Sequence, residues 1–250
     1  MKKGEAFLEK TIFTVTAIFK TITPPVYSLE KLERYCKSRL KKNPKAYSPR
    51  WFLASLYRDY GKNEEAKKEY LELKRLEYMK DKDILGLGEI LYRLEDYQGA
   101  VDTLTPVIDK YPEKINFNRY MGHSCIKTGD LEKAIDYMNK VIEQSGKDYK
   151  DYWNLGYCYF QIGKLEEAKD AYLKALSRNP NSKEIKNNVG AVYVKIGQSL
   201  IDIDLEKAEE QFNKALDADP DNSDALRILK NIGEIREKDL KIKELRERLK

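Results

Sequence analysis

The chain holds one histidine, three cysteines and only 21 glycine or proline positions in 250 residues. A single histidine leaves little material for imidazole-based acid–base chemistry or for a His-rich metal centre. An odd number of cysteines with no Cys-x-x-Cys pair excludes a disulfide framework and fits a reducing compartment, so a cytoplasmic location is expected. The scarcity of Gly and Pro excludes collagen-like and linker-dominated chains. Hydrophobic residues at 41% and 18 tyrosines argue against disorder. Near the N-terminus the longest uncharged run, residues 11–19, spans nine positions, against roughly 20 for a bilayer crossing. A signal peptide fits poorly too, because Glu5, Glu9 and Lys10 interrupt that segment.

Charge is plentiful, at 36% of residues, with a net +5 that is unevenly placed. Residues 1–46 carry 11 basic and 4 acidic side chains, whereas the other 204 carry 36 and 38. The surplus is an N-terminal property, and the rest of the chain is near neutral. A sustained basic track for nucleic acid is missing there, so no nucleic-acid partner is expected.

Small residues recur at a fixed interval: Ala54, Gly88, Gly122, Gly156 and Gly190 are each 34 apart. Ala66, Ala100, Ala134 and Ala168 follow the first four by twelve, and Ala208 arrives six residues late. Pro44, Pro112, Pro180 and Pro220 mark the ends of units. Within a unit, apolar residues at i, i+3, i+4 and i+7 predict two amphipathic helices joined by a short turn. In DYWNLGYCYFQIGKLEEAKDAYLKALSRNP, Gly156 and Ala168 sit where two helices approach closely, Gly163 turns the chain and Pro180 ends the second helix. A lone hairpin cannot bury its apolar face, so the units must stack.

Leu155, Gly156, Tyr159, Gly163, Ala168, Tyr172, Ala175 and Pro180 resemble the 34-residue pattern of the tetratricopeptide repeat (TPR) family, with Trp153 shifted one place. The resemblance implies an all-α, right-handed superhelical solenoid of stacked helix-turn-helix hairpins. Five repeats are predicted within 47–222: 47–80, 81–114, 115–148, 149–182 and 183–222. Leu73, Val107 and Val141 replace the usual small residue late in the second helix. Pro106 should shorten its helix. QSLIDI at 198–203 should lengthen the first helix of the fifth repeat by more than a turn.

The two ends lie outside the metre. Residues 1–46 read as an amphipathic N-terminal helix followed by a degenerate, basic first hairpin. In the segment 4–22, Phe7, Leu8, Ile12, Val15, Ile18, Phe19 and Ile22 share one face. Packing onto residues 28–42 is the plain expectation. The alternative is peripheral membrane contact, with Phe7, Ile18 and Phe19 entering the interface and Lys37, Arg39, Lys41 and Lys42 meeting anionic headgroups. Residues 223–250 are predicted to form one charged capping helix. Ile228, Ile235, Ile242 and Leu249 recur every seven residues along it, a pattern of self-association, although Asn231 and Lys238 interrupt the second seam position.

No chemistry-bearing constellation emerges. His123 and Cys125 are two apart on a helix and do not face one another. Cys36, His123, Cys125 and Cys158 lack zinc-ligand pairing, and the cysteines read as packing residues. GLGE around Gly86 is a helix-packing segment rather than a phosphate loop. The expectation is therefore no enzyme, no cofactor and no metal.

By the TPR resemblance, first helices line a concave groove. The residues placed on it are Arg93, Arg119, His123, Lys127, Lys150, Trp153, Tyr157, Phe160, Asn187 and Lys195, with Trp51 and Arg58 further upstream. Aromatic and cationic groups there suit an acidic peptide or helix. A carboxylate clamp for chaperone C-termini is disfavoured, because Glu184 and Asn188 stand where Lys and Arg are needed. The predicted function is a non-catalytic interaction scaffold or adaptor. Two alternatives are a membrane-peripheral, self-assembling homo-oligomer, generally similar to magnetosome TPR scaffolds, and a non-catalytic subunit of an enzyme complex.

Overall fold

The computed structural model describes residues 29–145 and 148–248. The segment carrying Phe7, Ile18 and Phe19 lies outside them. The described residues form α-helices and one short 3-10 turn, and they divide into two compact units between Tyr111 and Pro112. The first unit contains α1 (Leu29–Lys42), α2 (Tyr47–Asp59), α3 (Asn63–Arg75), α4 (Asp81–Arg93) and α5 (Tyr97–Leu104), followed by a 3-10 turn at Ile108–Lys110. The second contains α6 (Ile115–Thr128), α7 (Leu131–Gln144), α8 (Tyr149–Gln161), α9 (Leu165–Arg178), α10 (Lys183–Leu200), α11 (Leu205–Ala218) and α12 (Ser223–Arg248).

Five helix starts are fixed by side-chain caps. Asp96, Asp130, Asp148, Ser182 and Asp204 are N-caps whose side chains accept from the backbone N–H groups of Gly99, Lys133, Lys150, Ile185 and Lys207, each cap contributing about 1 kcal/mol. In four of the five hairpins the turn holds a left-handed residue. Gly61, Gly129 and Gly163 supply it at φ +72°, +85° and +78°. Glu95 holds the same place in the hairpin of α4 and α5 at φ 61°, a conformation that costs a side-chain-bearing residue about 1–2 kcal/mol.

Consecutive helices pair because the small residue of the first admits the large residue of the second. A Cβ on Gly88 would lie 2.4 Å from Leu104 Cδ2, on Gly122 2.5 Å from Met138 Cε, and on Gly156 2.7 Å from Tyr172 Cδ1. Tyr70, Leu104, Met138 and Tyr172 are accordingly buried, as are Ala66, Ala100, Ala134 and Ala168. The first unit has a core built on Leu53, Tyr57, Tyr70, Leu73 and Leu87. The second has cores around Tyr172, Ile185 and Val189, and around Val194, Phe212 and Ala225.

Pro106 shortens its helix as expected: α5 has eight residues, against 13 or 14 in α3, α7 and α9. The fifth hairpin departs from the spacing. Its first helix, α10, is lengthened to 18 residues against 13 for α8, but Phe212 closes on Gly197 (2.7 Å to its Cε1), not on Gly190. Gly190, the residue in 34-residue register, instead faces Asn222, Asp219 and Ala215 at the end of α11. Pairing is measured back from the turn, where an antiparallel hairpin fixes it, so the extra residues emerge at the N-terminal end of α10.

Candidate functional site

In the second unit the first helices α6, α8 and α10 carry nine of the ten predicted groove residues. Lys127, Lys150, Asn187 and Lys195 are exposed, and Tyr157 is 38% exposed. His123, Trp153 and Phe160 are half-buried, with Trp153 and Phe160 packed against the core of Tyr172 and Val189. Trp153 Nε1 is buried without an acceptor among the described residues. Lys127, Lys150 and Lys195 form no ion pair among the described residues. Burial, with Lys127 adding to it, holds the His123 pKa below its usual 6.5.

Arg119 behaves differently from those lysines. Its Nε and Nη2 each donate to Asp151 at 2.8 Å, and Asp151 is 1% exposed. This bidentate pair ties α6 to α8 and neutralises the cation that sequence reasoning had assigned to a partner. The paired carboxylate raises the arginine pKa above its ordinary value.

The same register position in the first unit holds a second buried acid. Asp83, fully buried, stands 68 residues before Asp151, and Trp51 stands 68 before Arg119. Asp83 Oδ2 accepts from Tyr47 Oη at 3.0 Å and from the Lys80 N–H at 2.9 Å, while its Oδ1 is buried with no partner among the described residues. Burial pushes its pKa up, and the two hydrogen bonds oppose that. Above it Lys82 Nζ lies 4.0 Å from the Trp51 ring centroid, a cation–π contact. The sequence signal for both acids was their shared place in the metre, which groove-lining reasoning passed over.

Arg93, the remaining predicted groove residue, belongs to the first unit and is spoken for. Its Nη2 donates to Glu89 Oε1 and its Nη1 to the Arg58 carbonyl, and Arg58 lies 3.8 Å from Glu89. The first-helix face of the first unit is thus internally compensated. On α1, Lys37 pairs with Glu33 and the Arg39 guanidinium sits 5.4 Å from the Tyr35 ring centroid, whereas Lys41 and Lys42 are exposed in its last turn. The three cysteines are buried, and burial pushes the Cys36 and Cys158 thiols up to about 12 and Cys125 up to about 11. They are protonated and poorly nucleophilic at neutral pH. Among the described residues no helix is long and apolar enough to cross a membrane.

Tetratricopeptide repeat family models match residues 85–149, 152–182 and 187–222, together more than half of the chain. The chain belongs to the tetratricopeptide repeat family. TPR proteins serve generally as protein-interaction scaffolds and are typically non-catalytic. Among solved structures, a similar one is YrrB, described as a TPR protein with an unusual peptide-binding site. It is 22% identical over 78% of this chain and 97% of its own, with a TM-score of 0.58. MamA is 20% identical over 68% of this chain and 90% of its own, at a TM-score of 0.55. MamA from Desulfovibrio magneticus RS-1 is 22% identical over 80% and 99%, at 0.51. At these identities the likeness is one of TPR fold. No curated protein matches the sequence.

Proposed function

We propose that this TPR protein is a non-catalytic adaptor whose second unit binds an extended acidic segment of a partner protein along the faces of α6, α8 and α10. The observation that carries the reading is the contrast between the two units. In the first, Arg58, Glu89 and Arg93 satisfy one another. In the second, Lys127, Lys150 and Lys195 are exposed and form no ion pair among the described residues, around the half-buried rings of Trp153 and Phe160 and the exposed Tyr157. Aromatic rings give contact area at low entropic cost, and unpaired lysines favour carboxylates and speed encounter.

The test uses the full chain with Trp51→Phe, which leaves Trp153 as the single tryptophan. Dye-free titration with a Glu- and Tyr-rich peptide should change Trp153 emission, weaken with salt, and lose roughly tenfold or more in affinity in Lys127→Glu/Lys195→Glu. A charge-inverted Lys-rich peptide serves as the control. Equal binding of both peptides, or binding indifferent to the two lysine reversals, would refute the assignment.

A further inference from the structure

The last helix carries a surface that the hairpin stack does not use. Up to Ile232, α12 packs its buried residues Ala225 and Ile232 against Val194, Phe212 and Ala215. From Gly233 onward one ion pair among the described residues, Arg236 with Glu209 on α11 at 2.8 Å, joins it to the rest of the unit: a Cβ at Gly233 would meet nothing within 4 Å, and residues 233–245 are all exposed. The sixteen residues from 233 to 248 extend about 24 Å. A solvating cap needs a polar outer face, yet this stretch exposes Ile235 at 57%, Ile242 at 46% and Leu245 at 57%. Ile235 and Ile242 are seven residues apart and Leu245 follows three later, the a-a-d spacing of a helix seam, with Lys238 at the intervening d position.

Charge decides what covers it. Residues 233–250 hold five acidic and seven basic side chains intermixed, so a partner or surface of one sign would meet repulsion along much of its length. A second copy carries the same mixture. Beside the seam, Glu234 and Lys241 share one flank and Asp239 lies on the other. In a parallel pair Glu234 of one copy would face Asp239 of the next, which is repulsive. In an antiparallel pair like flanks meet, bringing Glu234 to Lys241 of the other copy. Lys241 forms no ion pair among the described residues, and Glu234 has within its own chain the 3.9 Å contact with Lys230, at the outer limit of an ion pair. We infer that the free half of α12 pairs antiparallel with the same helix of a second copy, making this protein a dimer through its last helix and leaving the first-helix face of each second unit open.

Multi-angle light scattering of the full chain between about 1 and 200 µM should show particle mass rising from 29.2 kDa to twice that value. Ile235→Lys/Ile242→Lys should hold it at the monomer mass with its helical circular dichroism intact. Glu234→Lys alone should raise the concentration for half-dimerisation several-fold, and Glu234→Lys/Lys241→Glu should restore it. A wild-type chain that stays at 29.2 kDa throughout, or a dimer that survives the double Ile→Lys change, would overturn the inference. Strengthening by Glu234→Lys would overturn the antiparallel arrangement. Should Ile235→Lys/Ile242→Lys lose helicity, the two charge variants decide on their own. Lys127→Glu/Lys195→Glu should leave the dimer intact, which separates this pairing from the peptide-binding face.

Discussion

Replacing Arg119 by methionine keeps most of the side-chain volume and removes the guanidinium that both oxygens of Asp151 use at 2.8 Å. Removing one partner of a buried pair costs about 3–5 kcal/mol, because the other charge stays behind in low dielectric. Asp151 is 1% exposed, but the arginine side chain is 33% exposed, and water entering from that side offsets part of the loss, so about 2–3 kcal/mol is expected. Most of this is the stranded carboxylate rather than lost contact. Arg119→Met/Asp151→Asn should therefore be more stable than Arg119→Met alone. Urea unfolding followed by circular dichroism of the single and double variants measures both differences. A loss below about 0.5 kcal/mol, or a double variant no better than the single, would refute the account of this pair. Arg119 is also a poor probe of partner binding, since changing it perturbs the α6–α8 contact itself.

Glu95→Gly should stabilise the protein by about 0.5–1 kcal/mol, because the φ of 61° at Glu95 is strained for glutamate and the relief exceeds the extra chain entropy of glycine; unchanged urea unfolding would count against it. Gly197→Ala should cost about 1–3 kcal/mol by forcing Cβ onto the Phe212 ring, while Gly190→Ala, whose nearest contacts are 3.1 Å, should cost less; the reverse order in thermal melts would contradict the pairing of the fifth hairpin. His123 has its pKa lowered by burial, so the unfolded chain binds its proton first. Its contribution is complete above the unfolded pKa of about 6.5 and is lost as pH falls through the folded one. His123→Gln should flatten that part of the stability profile, and a profile identical to wild type would show that the imidazole titrates freely.

Much of the fold was legible because hairpin packing is a matter of steric spacing. Glycines 34 apart mark where Leu104, Met138 and Tyr172 lie against the preceding helix, and Pro106 ends its helix for want of an N–H. In the fifth hairpin Gly190 keeps the 34-residue interval yet Gly197 meets the Phe212 ring, since counting from the start of a repeat does not tell which glycine faces the ring once the helix has lengthened. The site was less legible. Which lysines are free and which arginines are committed depends on neighbours one hairpin away: Arg119 meets an acid 32 positions on, and Arg93 meets the Arg58 carbonyl 35 positions back. Along the last helix Asp224 pairs with Arg227 and Lys230 with Glu234, both local, while Arg236 reaches Glu209 on α11.

The closure of Phe212 on Gly197 bears on how such chains can be cut and rejoined. Because a hairpin locks from its turn outward, the far end of the first helix is where length can vary while the lock is kept. Alignments that hold a rigid 34-residue frame would thread α10 seven residues out of place. Chimaeras spliced at the turn-proximal glycine, by contrast, should carry each module intact whatever the length of the helix that leads into it.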